Sequence, residues 1–197
     1  MNGSNRLKEP RWFIGIAVLV LIIAAVGLVG LDYKNQEPAK PAVKISDFSE
    51  SRLKTIVGDS SGIGISEVTI NKRSGLVTIF YIDDSARDEN AIMFSLSIAA
   101  VRIMPPLFKI DGVKKVKVVE LGTFMNDAGD SSVDQSAAIT ISKKKADMLD
   151  WGKVNLKNKA GLLAEATELY INPAIKNQID DLDVLNAIIV QLSNKHE

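Results

Sequence analysis

The sequence predicts an α+β fold hung from a single N-terminal transmembrane helix. Three observations predict it: an unbroken apolar run from Trp12 to Leu31, two blocks of alternating apolar and polar residues, and helical periodicity between and after those blocks.

The run 12–31 contains no charged or strongly polar side chain. Twenty helical residues rise about 30 Å, the thickness of a bilayer's hydrocarbon core, and a helix satisfies its own backbone hydrogen bonds in lipid. A cleaved secretory signal would have a shorter apolar stretch and a small-x-small site, whereas this one closes on Val26-Gly27-Leu28-Val29-Gly30-Leu31. The segment therefore reads as a retained signal-anchor. With no Cys to acylate, a lipoprotein is excluded. Arg6, Lys8 and Arg11 precede the span, and Lys34, Lys40 and Lys44 follow it, so basic residues nearly tie across the membrane. Position breaks the tie: Arg11 abuts the span, and Asp32 is the first residue beyond it. The expected organisation is a cytoplasmic tail at 1–11, the transmembrane helix at 12–31, a proline-bearing linker at 32–44 and an extracytoplasmic α+β domain at 45–197.

Within the domain, Ser46 or Asp47 is placed to cap a short helix reaching about Val57, which Gly58-Asp59-Ser60-Ser61-Gly62 stops. Ile65, Val68 and Ile70 alternate with polar residues, and Leu76 to Ile82 follows across Lys72-Arg73-Ser74-Gly75. That is a β-hairpin. Ser85 with Asp88 fits a capping box opening a helix from Ala91 to Met104, where Pro105-Pro106 ends it. Only Ser95, Ser97 and Arg102 are polar there. The run is too short, and Arg102 too costly in lipid, for a second span, so it reads as a buried core helix. A second hairpin pairs Val113–Leu121 with Ala137–Ile141 across a long polar loop, about Met125 to Gln135. The order suggests an αββαββ domain with one four-stranded antiparallel sheet covered by helices. A short helix from Lys143 to Trp151, a helix over Leu156–Ile171, and another from Pro173 capped by Asn172 make the C-terminus helical from about 156. Ile175, Ile179, Leu182, Leu185, Ile189 and Leu192 form a stripe on the last helix that packs within the domain or, alternatively, between protomers of a homo-oligomer.

Composition excludes several functions. Basic and acidic residues are equal at 24 each. Residues 1–32 hold three basic and two acidic residues, so the remainder carries a formal charge of −1. That gives no basic face for a nucleic-acid partner. No thiolate chemistry is open to a chain without Cys, and the single histidine, His196, sits next to the C-terminus, where the chain is expected to fray. Gly58-Asp59-Ser60-Ser61-Gly62 has a loose likeness to the segment around a serine-protease nucleophile, but it reads better as a turn. Ser-x-x-Lys occurs at Ser51/Lys54 and Ser142/Lys145 without the Ser-Asp-Asn and Lys-Thr-Gly elements that acyl-transfer enzymes add. Gly62-Ile63-Gly64 lacks the third glycine and following helix of a dinucleotide site. Asn126, Asp127, Asp130 and Asp134 are oxygen ligands without EF-hand spacing, and Asp83, Asp84, Asp88 and Glu89 suit a helix N-terminus. Lys114, Lys115 and Lys117 with Lys143, Lys144 and Lys145 make a basic patch or solvated edges, and Trp151 reads as a core lid. No residue is assigned a catalytic, cofactor-binding or metal role.

The functional expectation is a membrane-anchored, extracytoplasmic, non-catalytic module that binds or scaffolds a protein or envelope partner. The alternatives are an envelope-polymer hydrolase using carboxylate or lysine groups, or a sensor domain. A binding module should show an exposed apolar or aromatic patch and no deep cleft with convergent polar groups; an enzyme should show the reverse, with a carboxylate or amine of perturbed pKa.

Overall fold

Asp111 fixes where the domain starts. Its backbone N–H donates to Val43 O (2.9 Å) and its carbonyl accepts from Ile45 N (2.8 Å), so Val43 and Lys44, expected as linker, already belong to the folded unit. The computed structural model describes residues 43–83, 88–125, 128–154 and 161–193. The expected tail at 1–11, the expected transmembrane helix at 12–31 and the expected linker up to residue 42 lie outside the described residues, as do Asp84, Ser85, Asn126, Asp127 and His196.

A single 3-10 turn, Ile45–Asp47, takes up the two residues expected to cap the first helix. The cap is Ser49 instead, whose side chain accepts from Arg52 N (3.2 Å) and opens α1, Glu50–Ser61. Gly58 does not stop α1; the helix ends at Gly62, which adopts the left-handed conformation glycine allows at φ 67°.

The architecture is α+β with a five-stranded mixed sheet in the order β1-β2-β3-β4-β5, not a four-stranded antiparallel one. β1 (Ile65–Asn71) and β2 (Leu76–Ile82) form the expected hairpin. Its turn needs Gly75: at φ 70° a Cβ there would lie 2.4 Å from Gly112 O. α2 (Glu89–Leu107) then carries the chain back across the sheet, so β3 (Lys115–Met125) enters parallel to β2. A crossover of 19 helical residues, about 28 Å, returns to the end where β2 began, which is why this junction is parallel. β4 (Ser131–Ser142) is antiparallel to β3. Both strands run much further than expected, and the polar stretch from Ser131 to Gln135 is exposed strand rather than loop.

α2 begins after Asp88, whose Oδ1 accepts from Ala91 N (2.7 Å), so the cap is Asp88 and not Ser85. The helix continues through Pro105 and Pro106 to Leu107. They lie in its last turn, where few hydrogen bonds remain for a missing N–H to break, and Phe108 N still reaches Met104 O (3.1 Å). Among the described residues α2 is the one helix long and apolar enough to cross a membrane. Here Met93, Leu96, Ala100, Ile103 and Met104 are fully buried in one core with Val77 and Ile79 of β2, Val116 and Val118 of β3, and Ile139 and Ile141 of β4. Each of the larger of these side chains contributes about 1.5–3 kcal/mol by leaving water.

After β4 come α3 (Lys143–Ala146), capped by Ser142, and α4 (Gly161–Ala164). The helix expected over Leu156–Ile171 is replaced in its second half by β5 (Glu168–Ile171), which pairs with Ala137–Thr140 of β4. The edge of β4 offers backbone partners that local helical preference does not see. α5 (Pro173–Lys176) is separated from α6 (Leu182–Ser193), so the expected single helix is broken. Asp181 Oδ1 accepts from Val184 N (3.1 Å) and restarts it. Ile175, Ile179 and Val184 are buried, whereas Leu182 and Ile189 are 74% and 58% exposed. At the far edge of the sheet, Glu50 Oε1 accepts from Ile70 N (3.0 Å) and Lys54 Nζ donates to Ser66 O (2.5 Å), so α1 side chains occupy the backbone of β1.

Candidate functional site

The parallel pair determines where a site forms. β2 and β3 end side by side, and the crossover sets the start of α2 over those carboxyl ends, the place where open α/β sheets leave a crevice. Period two along β2 puts Val77, Ile79 and Tyr81 on the helix-covered face; along β3 it puts Val116, Val118 and Glu120 there. Tyr81 and Glu120 are partners in the ladder. A charged and a phenolic side chain thus stand where each strand's pattern would place another aliphatic one, and both are only 2% exposed.

Four oxygens connect there. Tyr81 Oη lies 2.5 Å from Glu120 Oε2 and 3.2 Å from Ser95 Oγ, and Ser95 Oγ lies 2.7 Å from Asp83 Oδ2. Tyr81 Oη donates to Glu120 Oε2 and Ser95 Oγ donates to Asp83 Oδ2, so two hydroxyls in contact with each other link the two carboxyl groups. Burial pushes Glu120 up to about 7, and the charge of Asp83 adds to this, while hydrogen bonds from Tyr81 and Ser95 oppose it without cancelling it. Burial, and then the facing Glu120 carboxylate, hold Tyr81 far above the usual phenol range.

The chain borders a cavity of about 440 Å3. Asp83, Asp88, Glu89 and Glu120 line it with Ile92, Leu121, Phe124, Met125, Ser136, the α5 residues Ala174 and Ile175, and Gln178 just beyond α5. A β-bulge shapes its floor: Glu120 pairs with Ala137 but Leu121 with Gln135, so Ser136 is the extra residue. The bulge turns Ser136 towards Gly122, where a Cβ would lie 2.3 Å from Ser136 Oγ, so no larger residue fits without movement. Asn172 sews the bulge to α5: its N–H donates to Ser136 O (2.8 Å), its Nδ2 to Gln135 O (3.0 Å), and its Oδ1 accepts from Ala174 N (2.9 Å). Asn90 ties the start of α2 to the same region through Asp180 Oδ1 (2.6 Å) and Asp181 N (3.2 Å).

The groups singled out from sequence behave otherwise. Lys54 Nζ bonds Ser66 O and Lys145 Nζ pairs with Glu165 (2.5 Å), so each ammonium is engaged away from the serine three residues before it, and Lys145 meets Ser142 Oγ only through its backbone N–H (3.3 Å). The two lysine runs do meet, since Lys143 N donates to Lys114 O (2.7 Å). Acidic neighbours temper the patch: Lys115 pairs with Glu168 (3.5 Å), Lys143 with Asp147 and Lys145 with Glu165. Asp134 accepts from Gln135 N (2.7 Å), and among the described residues no group of three His, Cys, Asp or Glu side chains is placed to hold a metal ion. Trp151 is part-buried at 6.4 Å from the Phe108 ring and donates to Ala146 O (3.1 Å). Of the acidic cluster beside α2, Asp88 caps the helix as its position suggests, while Asp83 joins the buried chain. Tyr81, Ser95 and Glu120 were not singled out from sequence as site residues, although Glu120 at an inward position of an otherwise valine-rich strand was a readable signal. No known family model, curated protein or solved structure matches this chain.

Proposed function

We propose that the chain is a membrane-anchored extracytoplasmic module that binds or scaffolds a partner without chemically altering it, and that the cavity receives a small-molecule ligand. One observation carries the ligand assignment: a space of about 440 Å3, inside the usual range for ligand pockets, lined by both carboxyl and apolar groups at the end of the parallel strands, whose convergent carboxyl groups also meet what the enzyme alternative requires. The apolar run 12–31 supports attachment to the bilayer, and the exposed Leu182 and Ile189 of α6 support association of protomers through that helix. The test is native mass spectrometry of the full chain extracted from membranes in non-ionic detergent. Wild type should retain a small-molecule mass that Ala174→Trp, at the exposed rim, loses. Equal retention by both proteins, or none by either, refutes the assignment of the cavity.

A second reading has its own observation. Glu120 keeps its proton up to about pH 7, as a general acid at neutral pH must, which favours a carboxylate-based envelope-polymer hydrolase. Release of soluble fragments from isolated envelope polymer, abolished by Glu120→Gln, would decide for it.

A further inference from the structure

We infer that two copies of this chain join through β5, which pairs antiparallel with its own copy about a two-fold axis at Tyr170 to make one continuous sheet. This contact rests on the reading of associating protomers given above and is independent of the ligand assigned to the cavity.

The backbone sets the geometry. Just past β4, Lys143 N donates to Lys114 O (2.7 Å), and within β4 Thr140 O accepts from Thr167 N (2.7 Å). Odd-numbered residues here therefore turn their backbone groups to β3, and even-numbered ones turn theirs to β5. The even-numbered Ala138 and Thr140 are the ladder partners of Tyr170 and Glu168. Alternation along β5 thus directs the N–H and C=O of Glu168 and Tyr170 to β4. Those of Leu169 and Ile171 face the outer edge, where no strand among the described residues pairs with them. The segment 168–171 carries neither Lys nor Pro, two common guards of a lone edge. Leu169 and Ile171 pack on the helix-side core, so Tyr170 stands on the opposite face, where it is 44% exposed.

These positions are complementary to themselves. A second β5 laid antiparallel, with Tyr170 opposite its own copy, sets Leu169 against Ile171 on both sides of the axis. Each of those pairs exchanges two N–H···O bonds and carries apolar contact across the junction. The two tyrosines form the non-hydrogen-bonded pair between them, where Cα atoms approach to about 4.5 Å and aromatic side chains meet. Glu168 comes opposite Asn172, and Lys115 of its own copy lies 3.5 Å from it, so like charges do not face each other. Turning about Leu169 instead gives one hydrogen-bonded pair within the strand and sets Glu168 against Tyr170. The β1 end of the sheet offers no rival, since α1 side chains already bond its backbone. α6 packs against β5, so the same axis brings α6 of each copy towards the junction, where the exposed Leu182 and Ile189 widen the contact. Self-complementarity selects a second copy over an extended peptide of another protein, which is the competing occupant.

The chain has no Cys, so single cysteines report the register directly. In the full chain in non-ionic detergent, Tyr170→Cys should give a disulfide-linked dimer on mild oxidation, because the opposed Cα atoms lie within disulfide range. Glu168→Cys should not, because the register separates the two copies of that residue by about 14 Å along the strands. Sedimentation of the unaltered chain should show a dimer. Tyr170→Lys, checked for folding by circular dichroism, should raise the dissociation constant at least about tenfold by setting two ammonium groups opposite each other. Equal cross-linking of the two cysteine variants overturns the inference. If Tyr170→Lys leaves the dimer intact while Leu182→Lys dissociates it, protomers associate through α6 alone and the β5 contact falls. An unaltered chain that stays monomeric at every concentration removes both the β5 contact and the reading of associating protomers.

Discussion

Replacing Glu120 by Gln should make the domain more stable at pH 8 and leave it almost unchanged at pH 4.5. In the unfolded chain Glu120 ionises near its ordinary 4.5, whereas in the folded protein it holds its proton until about 7. Between those values the unfolded state has lost a proton that the folded state retains, so rising pH favours unfolding. Stability from this group is complete below 4.5 and is lost progressively up to 7. Each pH unit in that window is worth about 1.4 kcal/mol, so the loss reaches about 3 kcal/mol. Glu120 is buried, so solvent screening does little to reduce the figure. Glutamine reproduces the protonated carboxyl: its amide N–H can donate to Tyr81 Oη, and it never ionises. Urea unfolding of the full chain in non-ionic detergent, followed by circular dichroism at pH 4.5, 6 and 8, should give curves that differ by under about 1 kcal/mol at the acid end. The variant should lead by about 2–3 kcal/mol at pH 8. Parallel pH profiles for the two proteins would show that Glu120 holds no proton in the fold and would refute the reasoning.

Other perturbations reach neighbouring parts of the structure. Tyr81→Phe removes the hydroxyl that stabilises ionised Glu120, so carboxyl-carbon NMR should show Glu120 keeping its proton to higher pH than in wild type; a shift to lower pH would contradict the geometry. Gly122→Ala forces a methyl against Ser136 Oγ and should cost about 1–3 kcal/mol in urea unfolding, most of it recovered when Ser136→Ala is added. Additive losses in the double variant would mean the bulge does not crowd Gly122. Deleting residues 1–31 should move the chain from the carbonate-washed membrane pellet to the supernatant, and its persistence in the pellet would disprove the tether.

Local signals in the sequence translated well into structure. Alternation in Ile65–Ile82 gave the first hairpin, apolar density in Ala91–Met104 gave the central helix, and Asn172 and Ser142 cap the helices that follow them. Long-range features were not legible. Strand direction at β2 and β3 depends on where α2 delivers the chain, which no residue in either strand encodes. β5 exists because β4 exposes an edge, so Glu168–Ile171 adopts a conformation its own residues do not dictate. The cavity is harder still to read, because Asp83, Ser95, Glu120, Ser136 and Ala174 come from five segments and meet only after the sheet has formed. What could be seen was the misfit of Glu120 among valines. The lack of Cys removed thiolate chemistry, but composition was silent on carboxylates, which are too common in any chain to stand out.

The way α1 lies along β1 limits how the protein can associate with copies of itself. With Glu50 and Lys54 bonded to Ile70 and Ser66, a new strand arriving there would first have to displace two side chains. Fibrous stacking demands a molecule sticky at both ends, and one end here is already stoppered. Any contact made by strand pairing at the β5 end would therefore close after two molecules.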